Sequence, residues 1–453
     1  MALRCVAGQQ PTRHCADPVM RPPTLCRHVR VCGHDRAAGG AAVTEQATPA
    51  DWTGRRFEVD VGPVAHGGHC VARVAGRVVF VRHALPGERV LAEVTEDHGG
   101  SYCRADAAEV LAASPDRVAP PCPVARPGGC GGCDWQHATA GAQRRLKAAV
   151  VAEQLRRLAG LEWPVRVEPL PAPGDDDLLG WRTRVRLVTD DRGRPGFRAH
   201  RSHRVVPVAG CPITMAGALD GVLGRSWQPG RELEVVRDAT DEVHITELPP
   251  AGAHRGRPSR VTGGETVTER AAGRDWRLAT HGFWQVHPAA ADTLAAVVGA
   301  WAEARPGGVA WDLYGGVGLF AAVLAGQVGA TGSVLVVEAS RRAVADGTAN
   351  LADLPQVRFA TGPVQRVLAD PEMADERPEV VVLDPPRRGA GRAVVDAIAG
   401  RAPARVVYVA CDPAALARDV AGFAGHGYAL TALRAFDAFP MTHHVECVAL
   451  LAR

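Results

Sequence analysis

Hydrophobic and polar positions change their spacing twice along this chain. From Phe57 to about Val110, short apolar runs are broken by glycine: Phe57–Val61, Cys70–Val74, Val78–Val81 and Val90–Val94, with Ala75-Gly76 and Pro86-Gly87 suited to tight turns. That pattern predicts a small all-β, OB-like barrel over residues 51–113, an architecture that often presents a face to oligonucleotides. Helical spacing follows over Gly141 to Leu158, then a β-rich stretch from Val165 to Leu248. Pro249 to Gly264, rich in Pro, Gly, Arg and Ser, reads as a linker or long loop. From Trp276 onward strands and helices alternate, which predicts an α/β, Rossmann-like domain built on a mainly parallel sheet. The expected organisation is a leader over 1–50, the barrel over 51–113, a central β-rich domain over 114–264 and the α/β domain over 265–453. The helix near 141–158 is expected to pack on that last domain.

Composition changes this picture little. The 52 basic and 49 acidic residues leave a net charge of +3, which argues neither for nor against a nucleic-acid partner. Lys147 is the sole lysine; arginine, alanine, glycine and proline in such excess point to a GC-rich coding sequence rather than to a function. No apolar run approaches a membrane span and the first residues hold no continuous hydrophobic core, so a cytoplasmic, monomeric protein is expected. In that compartment the 12 cysteines are better explained by metal or catalytic roles than by disulfides. Cys5, Cys15, Cys26 and Cys32 fall in the leader, which has no usable periodicity and reads as disordered, or as sequence upstream of the true start. Their spacings match no standard zinc pair. Cys70, Cys103 and Cys447 read as buried strand residues.

Candidate chemistry concentrates in the α/β region. Val309–Tyr314 reads as a strand, Gly315-Gly-Val-Gly318 as a turn with little side-chain bulk, and Leu319 as the start of an apolar helix. A second strand, Ser333–Val337, ends at Glu338, placed to accept hydrogen bonds from ribose hydroxyls. The arrangement predicts a nucleoside-bearing cofactor, and NAD would satisfy it too. Val380–Leu383 runs into Asp384-Pro-Pro-Arg387, whose prolines stop the strand and leave Asp384 at the carboxyl edge of the sheet, where open α/β sheets bind ligands. Val406–Ala410 delivers Cys411 to the same edge, and Pro413 starts a helix behind it. At a helix N-terminus the dipole favours thiolate over thiol. If the final strand, from Val445 to Leu451, is antiparallel, Glu446 begins at that edge as well.

Taken together and in order, these motifs resemble the S-adenosylmethionine-dependent RNA uracil-5-methyltransferase family, over nearly all of Phe57 to Arg453. The matching residues are His66-Gly-Gly68 and Leu85-Pro-Gly-Glu-Arg89 of a TRAM-like barrel, Ser114-Pro-Asp-Arg117, Cys130-Gly-Gly-Cys133, Phe283-Trp-Gln285, Asp312-Leu-Tyr314, Asp384-Pro-Pro-Arg387, Cys411-Asp-Pro413 and His444-Val-Glu446. The resemblance implies that Gln285, Tyr314, Glu338 and Asp384 contact S-adenosylmethionine, that Cys411 is the nucleophile and that Glu446 is the base. The barrel combined with a cysteine loop implies an RNA partner closer to 23S rRNA than to tRNA. Two departures stand out: Gly315 replaces a common cysteine, and the gap from Cys122 to Cys130 is longer than usual. A cytosine C5-methyltransferase and an RNA-binding protein without catalysis are the competing readings; Cys411, Asp384 and Glu446 argue against the second, and the terminal Glu446 after two histidines favours uracil over cytosine.

Cys122, Cys130 and Cys133 supply three thiolates and Cys211 is the natural fourth, a donor set that suits zinc or an iron-sulfur cluster. The resemblance implies a 4Fe-4S cluster. Radical S-adenosylmethionine enzymes space their first two cysteines by three residues and leave one iron open, which seven residues and a fourth cysteine do not match. Arg182, Arg184 and Arg186 alternate, so as a strand they would share one face and, with Arg198, Arg201 and Arg204, either contact phosphates or form a solvated surface.

Overall fold

The computed structural model describes residues 51–172, 174, 177–249 and 258–453. The leader with its four cysteines lies outside them, as does half of the stretch read as a linker.

Five strands form the first sheet: β1 (Arg56–Asp60), β2 (Cys70–Val74), β3 (Arg77–Arg82), β4 (Arg89–Asp97) and β5 (Tyr102–Ala112), in the order β1-β4-β5-β3-β2. The longest of them, β5, is the one the hydrophobic pattern does not separate. Its inward positions are Cys103, Ala105 and Ala107, small residues with weak strand preference that tertiary pairing overrides. Helix α1 (Ala140–Gln154), capped by Thr139, has no single apolar stripe because it is buried on two sides. Ala142, Leu146 and Val150 pack on the barrel with Trp135, whereas Val151 faces the core of the α/β sheet.

After the short β6 (Val167–Pro169), an antiparallel sheet runs β12-β11-β10-β7-β8-β9. Its strands are β7 (Arg184–Thr189), β8 (Pro195–Arg198), β9 (Val205–Pro207), β10 (Glu232–Arg237), β11 (Val243–Leu248) and β12 (Ser259–Thr262). Thus the end of the expected linker is an edge strand: backbone pairing with β11 needs no apolar side chain, and β12 has little to show in its sequence. A hairpin, β13 (Thr266–Ala271) and β14 (Arg274–Ala279), leads to α2 (Ala290–Ala302).

The remaining elements alternate: β15 (Val309–Leu313), α3 (Leu319–Val328), β16 (Ser333–Glu338), α4 (Arg341–Asn350), β17 (Val357–Thr361), α5 (Val364–Leu368), β18 (Val380–Leu383), α6 (Arg392–Ala399), β19 (Arg405–Ala410), α7 (Pro413–Ala424), β20 (Ala429–Asp437) and β21 (Glu446–Ala452). They build one sheet in the order β17-β16-β15-β18-β19-β21-β20-β6, with β21 antiparallel to both its neighbours and every other pairing parallel. The sheet is covered on both faces, and its central strands are almost wholly apolar, as parallel sheets require. Its outermost strand, β6, comes from the chain segment read as central domain. No helix among the described residues is long and apolar enough to cross a membrane.

Candidate active site

Because β21 alone runs against the sheet, its first residue stands at the edge where β15, β16, β18 and β19 end. Gln285, Tyr314, Glu338, Asp384, Cys411 and Glu446 all line one crevice of about 830 Å³ there, with Phe283, Arg387 and His444. Six residues spread over more than 160 positions of sequence thus meet in a single space.

Local structure holds each of them. Tyr314 has φ +61°, a left-handed conformation that is rare for a non-glycine residue and often found at functional sites. Next to it, a Cβ on Gly315 would stand 2.6 Å from Val336 Cγ1 and 2.9 Å from the Asp312 carboxyl, so the glycine in place of cysteine is what this packing demands. Glu338 accepts hydrogen bonds from Gly316 N (3.1 Å) and Ser340 N (2.6 Å), which fixes its carboxylate beside the glycine turn. The loop after Asp384 is tied down by Asp419 of α7, which accepts from Ala390 N (2.7 Å) and from the Tyr408 hydroxyl (2.6 Å).

Electrostatics differ from the expectation for Cys411. Asp412, not Cys411, caps α7, accepting from Ala415 N at 2.8 Å, so its carboxylate takes up the dipole end that would have favoured a thiolate. Burial, reinforced by Glu446 and Asp384, pushes the Cys411 thiol up to about 12. Burial also raises Asp384 to about 7, and burial together with Asp384 raises Glu446 well above the ordinary carboxylate range, with Arg387 opposing. Beneath the crevice, Asp312 is fully buried; one carboxyl oxygen accepts from Ala321 N (2.9 Å), the other has no partner, and burial lifts its pKa to about 8. A crevice with this many carboxyl groups suits a ligand carrying positive charge.

The barrel closes over one side. His66 pairs with Asp412 at 3.2 Å, and a Cβ on Gly68 would fall 2.6 Å from His443 Cβ, so the His66-Gly67-Gly68 turn is seated against the start of α7 and the β20–β21 loop. Phe283, 75% exposed at the crevice mouth, presents a bare ring on which a base can stack. In the sequence Phe283 belongs to the Phe283-Trp-Gln285 motif but carries no sign of a role, because an aromatic beside a buried tryptophan is no signal until its exposure is known.

A second cavity, of about 190 Å³, is lined by Cys122, Cys130, Cys133 and Cys211 together with Arg182, Phe197 and Val208. The long gap folds back on itself: Ala125 N donates to Cys122 O (3.1 Å), Gly129 N to Arg126 O (2.8 Å) and Cys130 N to Val124 O (2.9 Å), which returns Cys130 to the side of Cys122. As they stand, no three His, Cys, Asp or Glu side chains among the described residues gather closely enough to hold a single ion.

The three arginines expected to share a strand face do not act alike. Arg182 precedes β7, is largely buried and gives its Nε–H to Arg184 O (3.0 Å). Arg184 pairs with the buried Glu269 at 2.6 Å and donates to Gly282 O (3.0 Å), while the exposed Arg186 pairs with Glu234 at 2.9 Å. Arg198 pairs with Glu232 at 3.1 Å and Arg201 with Glu96 at 3.1 Å.

Residues 52–107 match the TRAM domain and residues 303–453 match the tRNA (Uracil-5-)-methyltransferase family. An RNA methyltransferase of Streptomyces avermitilis is 49% identical, over 88% of this chain and 98% of its own length. One of Bifidobacterium longum is 38% identical, over 87% and 96%. In fold, the chain is similar to the tRNA (uracil-54, C5)-methyltransferase of Pyrococcus abyssi, solved with S-adenosyl-L-homocysteine: TM-score 0.65 and 21% identity, covering 87% of this chain and all of that one.

Proposed function

The chain belongs to the TRAM-containing, S-adenosylmethionine-dependent RNA (uracil-5-)methyltransferase family, and from that premise we propose that it methylates C5 of a uridine through a covalent adduct on Cys411. The observation that carries this reading is the convergence of Cys411, Glu446 and Asp384 in one crevice with Gln285, Tyr314 and Glu338.

Uracil C5 is too weak a nucleophile to take a methyl group directly. Cys411 loses its proton to water, the thiolate Sγ adds to C6, and the displaced π electrons collect on C5 and O4. When bound, S-adenosylmethionine would supply an electrophilic methyl, leaving as S-adenosylhomocysteine, and its sulfonium charge would favour the ionised forms of Asp384, Glu446 and Cys411. Glu338 is held where ribose hydroxyls can reach it, and Tyr314, Gln285 and Asp384 bound the remainder of that space. Once C5 carries the methyl, Glu446 takes the C5 proton, the C6–S bond breaks and the thiolate is returned. Cys411→Ala is expected to abolish turnover and Glu446→Gln to accumulate a protein–RNA adduct on denaturing gels; a fully active Cys411→Ala protein would sink the mechanism.

Cys122, Cys130, Cys133 and Cys211 would hold a 4Fe-4S cluster. The cavity of about 190 Å³ that the four cysteines line together with Arg182, Phe197 and Val208 has room for a multi-atom group, which supports this over a single zinc ion with bonds of about 2.3 Å. Iron and sulfide analysis of anaerobically purified protein decides between them.

The substrate is read as 23S rRNA, from the pairing of barrel and cysteine loop. The fold likeness to a tRNA enzyme keeps tRNA as the second reading. Mapping 5-methyluridine in both RNAs from a deletion strain separates them: loss confined to tRNA would overturn the rRNA assignment.

A further inference from the structure

The cysteine loop and the catalytic crevice are joined by one run of contacts. Asp134, the residue after Cys133, is buried, and its Oδ2 accepts from both the backbone N–H (3.1 Å) and Nδ1 (2.6 Å) of His443. Arg82 braces the other side, donating to Cys133 O (3.0 Å) and to Asp134 Oδ1 (3.4 Å). The backbone N–H groups of Asp134 and Trp135 both donate to Met441 O, at 2.9 and 3.0 Å, and Met441 itself has φ +67°. Met441 N in turn donates to Gln143 of α1 at 2.8 Å, and the Trp135 indole donates to Gly68 O of the barrel at 3.0 Å.

What this clamp holds is the short loop between β20 and β21. His443 lies against His444, with ring centroids 4.1 Å apart, and His444 Nε2 meets the Arg387 guanidinium at 3.2 Å. His444 and Arg387 both line the crevice beside Cys411 and Glu446. A loop that carries a non-glycine residue in the left-handed conformation keeps that geometry only where its surroundings over-determine it.

We propose that Asp134 and His443 are positioning residues that fix His444 and Arg387 against the uracil, so that the intactness of the four-cysteine site is transmitted to catalysis. The proposal rests on the uracil-methylation reading. A displacement of about 1 Å at reacting groups costs on the order of a hundredfold in rate, so a loosened loop lowers kcat without touching the cofactor end of the crevice.

Four variants test it in the intact, metal-replete protein: Asp134→Ala, Asp134→Asn, His443→Ala and the double Asp134→Ala/His443→Ala. Asp134→Ala and His443→Ala should each lower kcat on the order of a hundredfold, with metal content and S-adenosylhomocysteine affinity by calorimetry unchanged. The double variant should be no worse than either single one, because both remove the same contact. Asp134→Asn, whose amide oxygen still accepts from His443, should recover much of the loss. Deuterium exchange over residues 439–446 should rise in Asp134→Ala and equally in wild-type protein stripped of metal by a chelator. Wild-type kcat in Asp134→Ala, additive losses in the double variant, or unchanged exchange after stripping would each overturn the proposal. If Asp134→Ala does not fold, His443→Ala, which lies outside the cysteine loop, carries the same kcat and exchange test. Full activity in Cys411→Ala would instead condemn the uracil reading; an inactive Cys411→Ala beside an unaffected His443→Ala condemns only the clamp.

Discussion

At Cys411 two effects of opposite sign compete, and burial beside carboxyl groups outweighs the helix end. The thiol of the ligand-free protein is therefore protonated at neutral pH. Alkylation of Cys411, followed by mass spectrometry at that residue, should rise about tenfold per pH unit between about pH 7 and pH 9, since the thiolate fraction does so below the pKa. A rate already level at neutral pH would show a lowered thiol instead. Gly315 gives a second residue-scale expectation. Installing the cysteine common in the family should destabilise this chain by about 1–3 kcal/mol, because Val336 and Asp312 already fill the space. Chemical denaturation measures it, and an unchanged midpoint would mean those neighbours yield freely.

Among the elements, β7 shows how far a strand pattern can be read. Alternation correctly puts Arg184 and Arg186 on one face of it, but not that one end of the face is covered by the β13–β14 hairpin and the other is open. Arg184→Ala leaves Glu269 buried without its partner and should cost about 3–5 kcal/mol. Arg186→Ala breaks an exposed pair and should cost less than about 1 kcal/mol. Urea denaturation of the two variants makes the comparison, and equal costs would contradict the burial difference. For the same reason the arginine row does not offer three free cations to RNA. Arg184 is spent on the fold, and Arg182 faces the cysteine cavity.

Over the whole molecule, the junctions between barrel, central sheet and α/β domain are lined by histidines held neutral. Burial lowers His83 and His444 to about 3, and His137, His200 and His287 to about 4, from an ordinary value near 6.5. Unfolded, these rings take up protons below about pH 6.5; folded, they do not until pH falls near their lowered values. Their contribution to stability is thus complete above about pH 6.5 and is lost progressively toward pH 4. Thermal unfolding midpoints should fall across that window, and His83→Gln should flatten the decline. A midpoint independent of pH there would contradict neutral burial.

Much of this protein is legible in short stretches of its sequence. The strand-turn-helix at 309–319, the Asp384-Pro-Pro stop and the apolar runs before Glu338 and Cys411 are set by local rules, since a strand's period, a proline's fixed φ and a glycine's small size act within a few residues. Those rules bring Tyr314, Glu338, Asp384 and Cys411 to the ends of strands, whereas Gln285 lies in the loop between β14 and α2. The antiparallel run of β21, on which the place of Glu446 depends, is stated only conditionally by sequence. The pairing of β5 with β3 and β4, that of β12 with β11, the entry of β6 into the far edge of the α/β sheet and the two buried faces of α1 are decided by tertiary contacts, because backbone hydrogen bonds and opposing surfaces leave no side-chain periodicity to read. So are the raised pKa of the Cys411 thiol and the link from Asp134 to His443, more than 300 residues apart. Burial and charge at a site are sums over neighbours from distant parts of the chain, and only the folded structure fixes who those neighbours are.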